Sequence, residues 1–194
     1  MAFVYIVRCF FTEPAKEQAW NAWYGGPKIA QMLAQPHFRT CQRFRLASGV
    51  GRQYLALWTV DTPQALTTPQ YVSQWGFAEW APFVTDWSRD LFDGSAVADD
   101  AFAVAPQGAL DVVSFDGMSA DAANVARAAV AREGGAMMWL PVVGLDRHTP
   151  MIGLRPLAAL SPASDPPGSR GIQRAVYRPI SQYHCAGALA QKRG

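Results

Sequence analysis

Charge is scarce in this sequence: Asp, Glu, Lys and Arg make up only 16% of its 194 residues. Seventeen basic residues against fifteen acidic ones leave a formal charge of +2. That is too balanced for a surface that must neutralise a phosphate backbone, so no nucleic-acid partner is expected. Long apolar runs are missing too. None approaches the roughly 18 residues that would cross a bilayer. The opening stretch from Met1 to Phe11 is cut by Arg8, with no basic region before it and no small-residue cleavage site after it. Neither a signal peptide nor a membrane span is therefore expected. Cysteine is rare: Cys9, Cys41 and Cys185 are an odd number at wide spacing, which matches no disulfide framework. Together these absences point to a soluble protein in a reducing, cytoplasmic location. The thiols read as small buried hydrophobes, with Cys41 the candidate if one is reactive.

Motifs of known chemistry are lacking as well. No Cys-x-x-Cys, His-x-x-x-His or carboxylate cluster supplies a metal site. No P-loop, dinucleotide fingerprint or nucleophile elbow appears. The pair Gly49-x-Gly51 precedes a strand and not a helix, so it reads as a hairpin turn. His148, near Asp146, and His184, next to Cys185, are weighed as haem or metal ligands. Adjacent strand residues point to opposite faces, which makes His184 and Cys185 a poor ligand pair. The expectation is no metal and no cofactor.

What is abundant is apolar and aromatic. Half of the residues are hydrophobic, among them seven Trp, ten Phe and six Tyr, which excludes a disordered, collagenous or coiled-coil chain. Six of the seven Trp precede residue 88, so one half carries the aromatic load.

The order of elements follows from pattern. Residues 3–11 are dense in β-branched and aromatic types and read as a buried strand. Thr12-Glu13-Pro14 starts a helix, whose Trp20, Trp23 and Tyr24 form one apolar stripe. Gly25-Gly26-Pro27 reads as its break, with a shorter helix from Pro27 to Ala34. A second strand runs from His37 to Leu46. Its alternation places Phe38, Thr40, Gln42 and Phe44 on one face and His37, Arg39, Cys41, Arg43 and Arg45 on the other. Gln53 to Val60 is a central strand. Residues 63–90 read as a helical region and Leu91 to Val104 as turns with a short fourth strand. This is the β-α-β-β-α-β order of a ferredoxin-like unit.

Residues 105–194 repeat that order more weakly. A strand covers Ala109 to Phe115, and an Ala-rich helix covers Ser119 to Glu133 and stops at Gly134-Gly135. A hairpin follows over Ala136 to Leu160, then a loop over 161–171 and a last strand from Ile172 to Ser181. The expected fold is α+β: tandem ferredoxin-like units over 1–104 and 105–194, their antiparallel sheets packed as an α/β barrel. Closure within one chain competes with a homodimer of first units.

The stretch Trp23-Tyr24-Gly25-Gly26-Pro27-Lys28-Ile29, continuing through Pro36-His37-Phe38, then Arg43-Phe44 and Tyr54-Leu55-Ala56-Leu57-Trp58, resembles the dimeric α/β-barrel superfamily. It lies near the ethyl tert-butyl ether degradation (EthD-like) group. Those proteins carry Trp-Tyr, His-Ile-Pro, a Leu-Leu pair, Pro-Gly-Phe, Arg-Tyr and Tyr-Leu-Ala-Leu-Tyr at these places. The resemblance covers about residues 3–90. It implies the fold and a range of activities: cofactor-free monooxygenases, muconolactone-type isomerases, polyketide cyclases and tandem-repeat haem proteins. The chain departs from the pattern where chemistry is concerned. Lys28 stands in place of the family's His, His37 in place of Gly, and Gly25 and Gly26 in place of acids. The family's proton-transfer role carries over only to Lys28 or His37.

On this reading the chain is a cofactor-independent enzyme that isomerises, cyclises or cleaves a small aromatic or polycyclic molecule by proton transfer. His37 is the expected proton-transfer group, since imidazole titrates near neutrality. Lys28 or Arg43 would hold a developing oxyanion, with Tyr24 assisting. Trp23, Cys41, Tyr54, Trp58 and Trp80 would wall the pocket, because indoles suit a flat ligand. The competing functions are a cofactor-free monooxygenase and a non-catalytic ligand-binding or interaction protein.

Overall fold

The computed structural model describes residues 2–133, 136–161 and 171–187. β1 (Phe3–Phe11), β2 (Phe38–Gly49), β3 (Tyr54–Val60) and β4 (Val84–Asp93) pair antiparallel in the order β2-β3-β1-β4. β5 (Ala109–Ser114), β6 (Met138–Leu145), β7 (Met151–Leu157) and β8 (Gln173–Pro179) repeat it as β6-β7-β5-β8. β2 then pairs with β8, and β4 with β6. The two ferredoxin-like sheets therefore close into one eight-stranded antiparallel barrel within a single chain. Closure removes the open sheet edges that would otherwise recruit another chain. A short β9 (His184–Cys185) pairs with Thr40 and Cys41, beside β8 on β2.

Alternation along each strand sorts side chains between two environments. Val4, Ile6, Phe44, Leu55, Leu57, Phe92, Leu110 and Ile152 fill the barrel interior. Phe102 and Val104, from the link between β4 and β5, join that cluster. Gln42 clamps the link in place: its Nε2 donates to the Val104 carbonyl at 2.7 Å, and its Oε1 accepts from the Val104 amide at 2.9 Å. A polar network closes another part of the interior. Arg8 pairs with Asp90 and Asp116, and Asp116 also receives Arg52. Each buried cation in it has a carboxylate, as the low dielectric demands.

The outer face of the first sheet presents Tyr5, Val7, Cys9, Phe11 and Trp58 to the helices. α1 (Glu17–Trp23) and α2 (Ile29–Leu33) lie there, together with α3 (Pro69–Gln74). Trp20 anchors α1. Its ring stacks on Phe11 with centroids 4.6 Å apart and is fully buried. Burying an indole contributes about 4–6 kcal/mol at 25 cal/mol per Å². The Trp20 Nε1 lacks a hydrogen-bond partner, which costs about 1–3 kcal/mol, so burial wins. On the second sheet α4 (Ala120–Glu133) packs over Val113 and Phe115.

Three local expectations are corrected. The helix does not break at Gly25-Gly26-Pro27. It widens into a single π-helical turn over Tyr24–Lys28 and continues. Pro27 has no N–H for a regular helical bond, and the wider turn absorbs that loss. Residues 63–90 are not one helix. Only Pro69–Gln74 is α-helical, with short 3₁₀ segments over Pro63–Thr67 and Ala78–Phe83 on either side, and residues from Val84 belong to β4. Gly76, at φ +93°, and Pro82 interrupt any longer helix. Finally, the alternation of β2 reverses at its start. Phe38 pairs with Val60 but Thr40 with Thr59, so Arg39 is an extra, bulged residue. Phe38 thereby joins Cys41 on the helix-covered face instead of Thr40 and Phe44. The expected stop at Gly134-Gly135, most of the 161–171 loop and the tail from 188 lie outside the described residues.

Candidate functional site

Between the outer face of the first sheet and its helices lies a cleft of about 360 Å³, part of it open to solvent. That volume suits a small organic molecule. Its floor is Tyr5, Val7 and Trp58 from β1 and β3, with Trp87 and Arg89 from β4. Its roof is Tyr24, Lys28 and Met32 from the widened helix, and Tyr71, Trp75, Gly76 and Phe77 contribute the remaining wall. The π-turn has a direct consequence: it begins at Tyr24 and ends at Lys28, and both side chains are buried against the cavity.

Lys28 is the unusual group. It is 5% exposed, and its Nζ donates to the Gln74 carbonyl at 2.5 Å. No carboxylate among the described residues forms an ion pair with it. Desolvation therefore pulls its ammonium down to a pKa of about 8. The phenols around it move the other way. Burial raises both Tyr5 and Tyr24 well above the usual tyrosine value, in Tyr24 against the opposing pull of Arg43. Both stay protonated and can donate a hydrogen bond. Tyr5 and Tyr71 already share one at 3.0 Å.

The mouth is aromatic and cationic. Arg89 lies 4.0 Å over the Trp75 ring and 5.6 Å from that of Trp87. It is held from behind by Asp146 at 3.6 Å. Trp75 and Trp87 contact each other and are among the few large hydrophobic residues left exposed. Trp87 follows a bulge at Asp86, whose φ is +43°. Arg52 grips both the carbonyl and the carboxylate of Asp86.

The structure brings Lys28, Tyr24 and Trp58 together in this cavity. Arg43 and Tyr54 line a smaller neighbouring cavity, which shares Val7 and Tyr24 with the first. Cys41 is fully buried in the core beside them, and burial holds its thiol well above the ordinary value. Trp23 and Trp80 pack against each other at 6.3 Å, away from the lining of either cavity. His37 is not brought to the cavity. It sits at φ +71° where the chain enters β2, half-exposed, with Nδ1 4.0 Å from Asp61. The bulge at Arg39 separates it from the outward row that carries Cys41 and Arg43. His148 and His184 line neither cavity. Among the described residues no group of three or more His, Cys, Asp or Glu is arranged around a metal-sized site.

Sequence reasoning missed Tyr5, Tyr71 and Arg89, and it treated Trp75 and Trp87 as general aromatic load. A signal existed for two of these: Trp87 and Arg89 alternate with buried Ser88 and Asp90, a strand pattern hidden by reading the segment as helix.

The matching strands of the second sheet carry charge where the first carries aromatic side chains. There Asp111 of β5, itself 1% exposed, binds Arg155 of β7 at 2.6 Å and Arg174 of β8 at 2.8 Å.

No protein-family model and no curated protein sequence matches the chain. Solved structures do. An anthrone oxidase-like protein superposes with a TM-score of 0.61 at 11% identity, covering 96% of this chain and 93% of that one. A chlorite dismutase-like protein gives 0.50 at 10% identity, over 98% and 97% of the two chains. A monooxygenase-like protein of Fusobacterium nucleatum gives 0.50 at 8% identity, over 93% of each. The chain has the dimeric α/β-barrel, ferredoxin-like fold. No helix among the described residues is long and apolar enough to cross a membrane.

Proposed function

We propose that this protein is a cofactor-independent enzyme that binds a flat, weakly acidic aromatic molecule in the Lys28 cavity and deprotonates it. The observation that carries this reading is the Lys28 amine: buried, without a carboxylate partner among the described residues, and titrating at about 8. At pH 7 about one such amine in ten is neutral and able to accept a proton. Trp58, Trp75 and Trp87 line the cavity, and indoles there would suit a planar ring. Tyr24, held protonated by burial, would donate to the oxygen on which negative charge develops. Lys28 takes the place that His37 holds in the sequence-based expectation.

The fold likeness to an anthrone oxidase-like and a monooxygenase-like protein favours oxygenation as the fate of the resulting anion. With an anthrone the balance is simple. Lys28 removes a proton from the ring methylene, the carbanion adds to dioxygen, and the Lys28 ammonium returns the proton to the peroxide oxygen to give a carbon-bound hydroperoxide. The second methylene proton and the hydroxide released as the O–O bond breaks then leave together as one water, and the carbon becomes a carbonyl. One dioxygen is consumed and one water released per quinone formed. An oxygen electrode with anthrone as substrate tests this. Stoichiometric uptake that falls at least about 100-fold in Lys28→Met supports the reading. Anthrone turnover without oxygen uptake would favour isomerisation or cyclisation at the same site. Uptake unchanged in Lys28→Met would refute the role of Lys28.

A further inference from the structure

Four arginines are buried among the described residues: Arg8, Arg43, Arg52 and Arg174. Three of them face an aspartate. Arg8 pairs with Asp90 and Asp116, Arg52 with Asp86 and Asp116, and Arg174 with Asp111. Arg43 is the exception. It is only 2% exposed, yet no carboxylate among the described residues lies within ion-pair distance. Its Nη1 and Nη2 donate to the Asn21 carbonyl at 3.2 Å and the Asn21 Oδ1 at 2.9 Å, both neutral acceptors. The rings of Tyr24 and Trp20 lie 4.1 Å and 4.9 Å from the guanidinium carbon. The two bonds to Asn21 use two of the five guanidinium N–H groups, and the rings supply no acceptor oxygen for the others.

The groups around Arg43 do not supply the missing charge. Burial raises the thiols of Cys9 and Cys41 and the phenols of Tyr24 and Tyr54, so all four remain neutral. Glu17 is already engaged by Arg45, Gln53 and Tyr54. A buried cation with no counter-charge is among the most unfavourable arrangements in a protein interior. Beside this one there is a cavity, lined by Arg43 together with Val7, Cys9, Tyr24 and Ala56.

We infer that this smaller cavity is a binding site for a small monovalent anion, of halide or nitrate size, held by the Arg43 guanidinium. Its apolar walls disfavour a divalent ion, whose charge Arg43 alone would not balance. The inference rests on the arginine and its cavity, and stands whatever reaction Lys28 performs.

Bromide is the probe. Crystals of the full chain soaked in sodium bromide and measured at the bromine absorption edge should show an anomalous peak in contact with the Arg43 guanidinium. In solution, raising bromide at fixed ionic strength should raise the Tm progressively, as binding to the folded state requires. Both signals should vanish in Arg43→Gln. Should that variant fail to fold, Ala56→Leu keeps the guanidinium and fills the cavity, and it too should abolish both. Absence of a peak at Arg43 in the unmodified protein would overturn the inference. So would a peak and a Tm rise that persist in Ala56→Leu.

Discussion

Replacing Lys28 with methionine should make the protein more stable at neutral pH while depriving it of its proton acceptor. Burial lowers the Lys28 pKa from 10.5 to about 8. At 1.36 kcal/mol per unit, holding that ammonium in the cavity costs about 3 kcal/mol below pH 8. Methionine fills a similar volume without charge but leaves the Gln74 carbonyl, now bonded at 2.5 Å, without its donor, which returns about 1 kcal/mol. The expected gain at pH 7 is about 2 kcal/mol, read by urea denaturation. The sign of the pH dependence follows from linkage. Between pH 8 and 10.5 the unfolded chain binds the lysine proton and the folded one does not, so the native protein gains stability relative to the variant as pH rises. The slope is at most about 1.4 kcal/mol per pH unit, and the variant's advantage should be gone by pH 10.5. Comparing the two proteins at each pH cancels the opposing trend from Cys9, whose folded value of about 12 makes the fold lose stability above pH 9. A variant less stable than its parent at pH 7, with a difference that does not change with pH, would refute the claim that Lys28 is a strained, desolvated base.

Other expectations follow from the same geometry. Cys185 is exposed, whereas burial holds Cys9 and Cys41 as thiols; an aromatic disulfide reagent at pH 8 should therefore titrate one thiol natively and three in denaturant. Tyr5→Phe removes the bond to the Tyr71 hydroxyl and should lower stability by about 1 kcal/mol in urea. Gly76→Ala places a Cβ at φ +93° between Trp75 and Phe77. That should cost about 1–2 kcal/mol and weaken binding of a planar aromatic ligand, as measured by tryptophan fluorescence. Asp111→Asn removes the carboxylate that Arg155 and Arg174 share; it should destabilise the barrel by about 3–5 kcal/mol without affecting the cavity of the first unit.

Strand order was legible because hydrophobic periodicity and turn residues are strong where strands are buried. β3 is buried at every position, and the corresponding run from Gln53 to Val60 stands out in the sequence. The places where reading failed share a cause: a local device that shifts phase without changing composition. A one-residue bulge at Arg39 moved Phe38 and His37 off the expected faces. The π-turn kept one helix running where Gly-Gly-Pro suggested a break, and it is what sets both Tyr24 and Lys28 against one cavity. Trp87 and Arg89 were hidden because aromatic spacing over 75–87 imitates a helix. Lys28 itself was visible as the residue standing in place of the family's histidine. Its burial, which makes it chemically interesting, depends on packing against Gln74, far away in sequence.

The central claim is that Lys28 accepts the substrate's proton. The pH dependence of kcat/KM for oxygen uptake on anthrone, measured for the native chain and Lys28→Met, addresses it most directly. The native rate should climb about tenfold per pH unit up to about pH 8 and then level. In the variant the rate should be at least about 100-fold lower, with no inflection near 8. A variant that keeps the native rate and the native inflection would contradict it.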